Sequence, residues 1–119
     1  MTNYKTLEVW ILSMDTIKEV YDLTRSYPND EKYGLTSQTN RAAVSIATNI
    51  AEGMGRNYKK DTIQFLHVSR GSAYEVETLL SIAQMVKIVD ELTYDKLNKK
   101  LERNIKVLNG LIKYLEQKI

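Results

Sequence analysis

Arg41, Ser45, Asn49 and Glu52 recur at steps of four, four and three, so on a helix they form one line of polar side chains. A guanidinium, a hydroxyl, an amide and a carboxylate in a row suit either a structural network that fixes helix register or a polar ligand site. Arg41 and Glu52 are eleven residues apart, about 16 Å along one helix, and cannot pair with each other. Each needs its own partner, and Glu75 and Glu77 in the following helix are candidates for Arg41. A buried arginine left unpaired would be strongly destabilising, so the line reads first as a network inside the bundle or at a subunit contact. A ligand or nucleic-acid role comes second.

Two basic groups offer a different chemistry, the neutralisation of phosphates. The turn EGMGRN resembles a glycine-rich phosphate loop only superficially, because a helix precedes it where a strand is required and Tyr58 stands where a third glycine belongs. What remains is Arg56, Lys59 and Lys60 at the start of a helix, where free backbone N–H groups favour an anion. Further on, Lys96, Lys99, Arg103, Lys106 and Lys113 follow steps of three, four, three and seven, a basic stripe along one helix face, with Lys100 beside it. Such a stripe is either a solvated face or a track for a nucleic-acid backbone, which needs no base contacts. The candidate nucleic-acid-binding residues are therefore Arg56, Lys59, Lys60, Lys99, Lys100, Arg103 and Lys106. Tyrosines are plentiful, but Tyr21, Tyr74 and Tyr114 fall near apolar stripes and argue weakly for base stacking.

Catalytic signals are poor. His67 is the single histidine and there is no cysteine, so neither a zinc-type site nor a thiolate is available. Glu75 and Glu77, two apart on a helix, point in different directions and make no acid–base pair. No nucleophile, base and oxyanion arrangement is present. The expectation is no enzyme: no catalytic residue, no metal and no cofactor.

The elements that position these residues read as helices throughout. A chain of 119 residues, 43% hydrophobic and 27% charged with one proline and five glycines, fits one ordered domain over 1–119. No apolar run approaches the roughly 18 residues of a membrane span, and Glu8 interrupts any leader-like segment; a soluble, cytoplasmic protein is expected. The net charge of +2 says little, but residues 94–118 hold seven basic and three acidic side chains.

A first helix is predicted over Thr6 to Ser26. Leu7, Ile11, Met14, Ile17 and Tyr21 form its core stripe, and a second set, Val9, Leu12, Val20, Leu23 and Tyr27, makes its apolar surface wider than one core needs. That excess suggests burial by another subunit. Pro28, Asn29 and Asp30 turn the chain. The second helix is expected to start at a Thr36 or Ser37 cap and to end at Gly53 in a left-handed conformation, with Gly55 loosening the turn. Its small residues Ala42, Ala43, Ala47 and Ala51 invite close approach by the third helix, expected from about Asn57 to Val86 with Gly71, Ser72 and Ala73 opposite them. Ile63, Phe65, Leu66, Val76, Leu79, Leu80, Ile82 and Ala83 supply its core. Thr93 can cap a fourth helix, whose Leu97, Leu101, Ile105, Leu108, Ile112, Leu115 and Ile119 follow the cleanest helical spacing in the chain. Four helices with short connections give an all-α, antiparallel up-down-up-down bundle.

The stretches LEVWILSMDTIKEVYDLT, EKYGLTSQTNRAAVSIATNIAEGMGR and FLHVSRGSAYEVETLLSIA together resemble the family of proteins encoded in intervening sequences of bacterial 23S rRNA genes. The resemblance is strong from Leu7 to Ala83, with Asn40, Ala47 and Thr48 departing from the pattern; losing a basic residue before Arg41 weakens that patch as a nucleic-acid contact. It implies a left-handed four-helix bundle. It also implies kinship with the accessory protein of diversity-generating retroelements, a barrel-shaped homopentamer with a basic surface that partners a reverse transcriptase and nucleic acid. The expected function is thus a non-enzymatic homo-oligomer, a homopentamer, binding structured RNA or DNA through basic patches. The alternative is an interaction adaptor docking a polymerase or another protein partner.

Overall fold

The computed structural model describes residues 3–118. Four helices, α1 (Glu8–Thr24), α2 (Leu35–Met54), α3 (Lys59–Met85) and α4 (Glu91–Gln117), are linked by short turns, with single 3₁₀ turns at Tyr4–Thr6 and Asn29–Glu31. Each helix packs on two neighbours, in the order α1, α2, α3, α4 and back to α1, and α2 with α3 is the most extensive pair. Neighbours run in opposite directions. Ser69 Oγ donates to the Ile46 carbonyl and Thr62 Oγ to the Gly53 carbonyl, both at 2.7 Å, so numbers rise along α2 as they fall along α3. Arg70 meets Asn109 and Ser81 meets Tyr94 across α3 and α4. Leu7 shares a groove with Leu111, and Leu23 another with Leu97, across α1 and α4. The four form an antiparallel bundle of 48 × 23 × 20 Å.

The helix ends correct several expectations. Asp90, not Thr93, caps α4: its carboxylate accepts from the Thr93 N–H at 2.7 Å, which holds its pKa below the usual aspartate range. At the start of α2 neither Thr36 nor Ser37 caps; Gly34 holds the N-cap position and the Glu31 carboxylate reaches forward to the Leu35 N–H at 3.1 Å. α3 begins after Tyr58 rather than Asn57.

Gly53 does not end its helix and has no positive φ. It lies buried inside α2, where an added Cβ would stand 2.8 Å from Phe65 Cβ and 3.2 Å from the Thr62 carbonyl oxygen. The glycine is there for close approach of two helices. Gly55 is in a right-handed conformation too. The one left-handed residue among those described is Lys87, φ 67°, which ends α3 while Ile88 and Val89 donate back to the Ala83 carbonyl.

The core follows the α4 spacing closely. Leu97, Leu101, Ile105, Leu108 and Ile112 are buried and Leu115 is half-buried; Ile119 lies outside the described residues. They meet Ala42, Ala43, Ile46 and Ile50 of α2, and Leu66, Ala73, Val76 and Leu80 of α3, in one cluster. Ile82 leaves that core for solvent, and Gly71 faces open space, while Ser72 and Ala73 do meet α2 as expected.

The first helix keeps only part of its expected core stripe, Leu7 and Ile17, half-buried against the core. Its inward line is Val9, Ser13, Thr16, Val20 and Thr24, whereas Ile11 and Met14 are 52 and 44% exposed and Tyr21 is exposed with them. Small polar residues can face inward because their hydroxyls bond locally or across the interface. Ser13 Oγ donates to the Trp10 carbonyl at 2.7 Å and Thr16 Oγ1 to the Leu12 carbonyl at 3.0 Å. Asn104 Nδ2 donates to Thr16 Oγ1 at 2.6 Å, and Thr24 Oγ1 to Asn40 Oδ1 at 2.8 Å. Ile11, Met14 and Tyr21 are left outside, while Trp10, Ile17 and Leu23 pack half-buried against the core.

Candidate nucleic-acid interface

The face of α4 opposite its leucine line carries Lys96, Lys99, Arg103, Lys106 and Lys113, all exposed. A helix that turns about 100° per residue keeps these five within one outward sector. Lys96, Lys99, Lys106 and Lys113 have no ion pair among the described residues and so are available to an anion. Lys96 and Lys113 share this sector with Lys99 and Lys106, as their spacing in the sequence indicated.

Other candidates are engaged within the fold. Lys100 is half-buried and its ammonium reaches both Asp15 and Glu19 of α1. Hydrogen bonds that the ammonium donates to these carboxylates, Asp15 first, hold its pKa above the usual lysine range. It is a strut between α1 and α4, not a free phosphate contact. Arg103 donates to Glu8 at 3.1 Å, with both side chains exposed. That pair is weak and can open. Arg56 sits 3.8 Å from Glu52 and lies over the Phe65 ring at 4.6 Å, an arrangement that packs the α2–α3 turn.

Lys59 and Lys60 are exposed at the first turn of α3, nearer the Lys113 end of the stripe than its centre. The Arg70–Asn109 contact sets the register of α3 against α4, which places Lys59 level with the far end of α4 and roughly 20 Å along the axis from Lys106. The seven candidates therefore do not converge: one group lies along α4, the other at the α2–α3 end.

The polar line of α2 divides likewise. Ser45 and Asn49 form a true network: Asn49 Nδ2 donates to Ser45 Oγ at 2.9 Å and to its carbonyl at 2.8 Å, and Ser72 Oγ of α3 donates to Ser45 Oγ at 2.8 Å. Arg41 is exposed, not buried, and lines a small pocket with Gln38, Ser45 and Glu75 without closing an ion pair among the described residues. Glu52 turns to Arg56.

Glu77 is on the other side of α3. It faces Glu102 across an open groove of about 750 Å³ that Tyr74, Arg103, Lys106 and Asn109 also line. Burial, and then the Glu102 charge, raise its pKa above the usual glutamate range. Tyr21, Tyr74 and Tyr114 are exposed, contrary to a core placement. His67 accepts at Nδ1 from Arg70 Nη2 at 2.8 Å while Arg70 Nη1 donates to Asn109 at 2.7 Å, a brace between α3 and α4. No cluster of three or more His, Cys, Asp or Glu suited to a metal occurs among the described residues, and no described helix is long and apolar enough to cross a membrane.

A family model described as 23S rRNA-intervening sequence protein matches residues 5–110. The chain belongs to this family. The bundle is similar to a crystal structure, at 1.70 Å resolution, of a protein of unknown function from the S23 ribosomal protein family of Bacteroides thetaiotaomicron VPI-5482. The TM-score is 0.82 at 24% identity, over 88% of this chain and 98% of that one. At that identity the likeness speaks for the fold. No curated protein shows significant similarity. Within the 23S rRNA-intervening sequence protein family, the α4 stripe of this member falls mostly inside the matched region, with Lys113 just beyond it.

Proposed function

We propose that this protein is a non-enzymatic, self-assembling helical bundle that binds structured RNA or DNA by phosphate contacts from the outer face of α4. The observation that carries the reading is the sector of Lys96, Lys99, Lys106 and Lys113, exposed on one rigid helix and unpaired among the described residues. Arg103 joins when its exposed contact with Glu8 opens. The origin of the family name in 23S rRNA makes an RNA helix the first ligand to try. Assembly into a homopentamer, as the retroelement accessory protein suggests, would repeat the stripe around a ring and raise avidity without any new contact. Cysteine-free composition suits a reducing cytoplasm.

Reversing Lys99 and Lys106 to glutamate tests the reading. Both side chains are exposed, so helicity and assembly should match the parent, while affinity for a structured RNA should fall at least about tenfold and the salt dependence should flatten by about two phosphate contacts. Unchanged affinity would refute the α4 site.

A second reading, an adaptor for a protein partner, rests on a different groove. Leu7, Val9, Val107, Gly110 and Leu111 line an open cleft of about 530 Å³ between α1 and α4, rimmed by Glu8, Arg103 and Lys106. Binding there would survive high salt, where phosphate contacts would not.

A further inference from the structure

The self-assembly reading leaves open which surfaces meet, and two exposed helix lines answer to each other. On α1, Ile11, Met14, Lys18 and Tyr21 succeed one another at steps of three, four and three, all exposed. On α3, Val68, Gly71, Glu75, Thr78 and Ile82 do the same at three, four, three and four, again all exposed. Alternating steps of three and four are the spacing that side-by-side helix packing uses, and neither line has a covering element among the described residues. Gly71 has nothing within 4 Å of where a Cβ would stand, so a neighbouring helix can come close there.

The two lines match in height as well as in pattern. Thr16 of α1 bonds Asn104 of α4. Asn109, five residues further along α4, bonds Arg70 of α3, so Asn104, and with it Thr16, is level with Glu75. Both α1 and α3 are antiparallel to α4 and so run the same way. Two copies placed side by side at equal height then set Ile11 against Val68 and Gly71, Lys18 within a side chain's reach of Glu75, and Tyr21 beside Ile82. Apolar groups meet apolar groups, and a cation meets an anion. Among the described residues Lys18 is held only by an exposed 3.5 Å contact with Asp22, and Glu75 has no ion pair.

We infer that the outer line of α1 packs on the outer line of α3 of a second copy, a head-to-tail contact with the Lys18–Glu75 pair at its centre. This rests on the self-assembly reading above and adds the faces. Such a contact uses two different surfaces and so closes into a ring when successive rotations add up to a turn. Both lines lean toward α2. At about 100° per residue, Tyr21 lies just outside Thr24, which touches α2, and Glu75 lies just outside Ser72, which touches Ser45 of α2. Neighbours therefore approach from the α2 side, α2 faces the ring axis and α4 with its basic stripe faces outward.

Complementation between two single-face variants tests this. Ile11→Glu spoils the α1 line and Val68→Glu the α3 line; both sites are exposed, and circular dichroism confirms that each variant keeps its fold. Light scattering on each alone should give a monomer, and an equal mixture should give a one-to-one heterodimer and stop there, because one intact α1 line meets one intact α3 line. Lys18→Glu should weaken assembly and Glu75→Lys in the same chain should restore it. A parent that assembles while Val68→Glu assembles equally well, or a mixture that stays monomeric, would overturn the pairing of faces. A monomeric parent would overturn the self-assembly reading itself.

Discussion

The most exacting residue is Gly53. With Phe65 Cβ 2.8 Å from where its own Cβ would be, alanine must push α2 and α3 apart along their most intimate contact. Helix propensity favours alanine by about 1 kcal/mol, yet overpacking costs about 1–3 kcal/mol. Gly53→Ala is expected to destabilise on balance, read as a lower denaturant midpoint. Tyr27 gives a pH prediction. Its hydroxyl is buried without a hydrogen-bond partner among the described residues, and burial pushes its pKa up to about 12. The folded protein then favours the neutral phenol, so this stabilisation is complete below the unfolded tyrosine pKa of about 10 and is lost as pH rises toward 12. Tyr27→Phe should flatten the alkaline limb of stability against pH; an unchanged limb would place the titrating group elsewhere. At this scale the sequence placed Ser45 and Asn49 on one polar line, and the structure bonds them to each other. The sequence hid the engagement of Lys100 and Arg103, whose acidic partners Asp15, Glu19 and Glu8 come from the opposite end of the chain.

Among the elements, α4 was legible almost residue by residue, since its leucines and isoleucines face one core and its charges face water. α1 was not. Its larger apolar groups were the natural core by hydrophobicity, but Ser13, Thr16 and Thr24 bury their hydroxyls by hydrogen bonding, and polarity alone conceals that. The excess of apolar surface on α1 was nonetheless visible, and it is the excess that faces outward. Helix ends were read poorly where a glycine suggested a stop: Gly53 serves packing, while the left-handed end of α3 is taken by Lys87, a residue with no preference for it. Lys87→Gly removes the steric cost of that conformation and is expected to raise stability by about 0.5–1 kcal/mol, measured by thermal or denaturant unfolding. A loss of stability would mean that the lysine side chain contributes more than its backbone costs.

For the whole molecule, the bundle separates its surfaces by chemistry. The exposed lines on α1 and α3 face the sides, and the lysines of α4 face a third direction, so the proposed assembly and the proposed phosphate binding need not compete. The fold and the family follow from the sequence pattern, while the division of labour among surfaces needed the packing. The measurement that bears most directly on this account is the binding of a structured rRNA helix to the purified, nucleic-acid-free protein, by fluorescence anisotropy across a salt series. Simultaneous neutralisation of several phosphates by the α4 lysines predicts a slope of log affinity on log salt of about −3 or steeper. Absence of binding at low salt, or an affinity indifferent to salt, would contradict it.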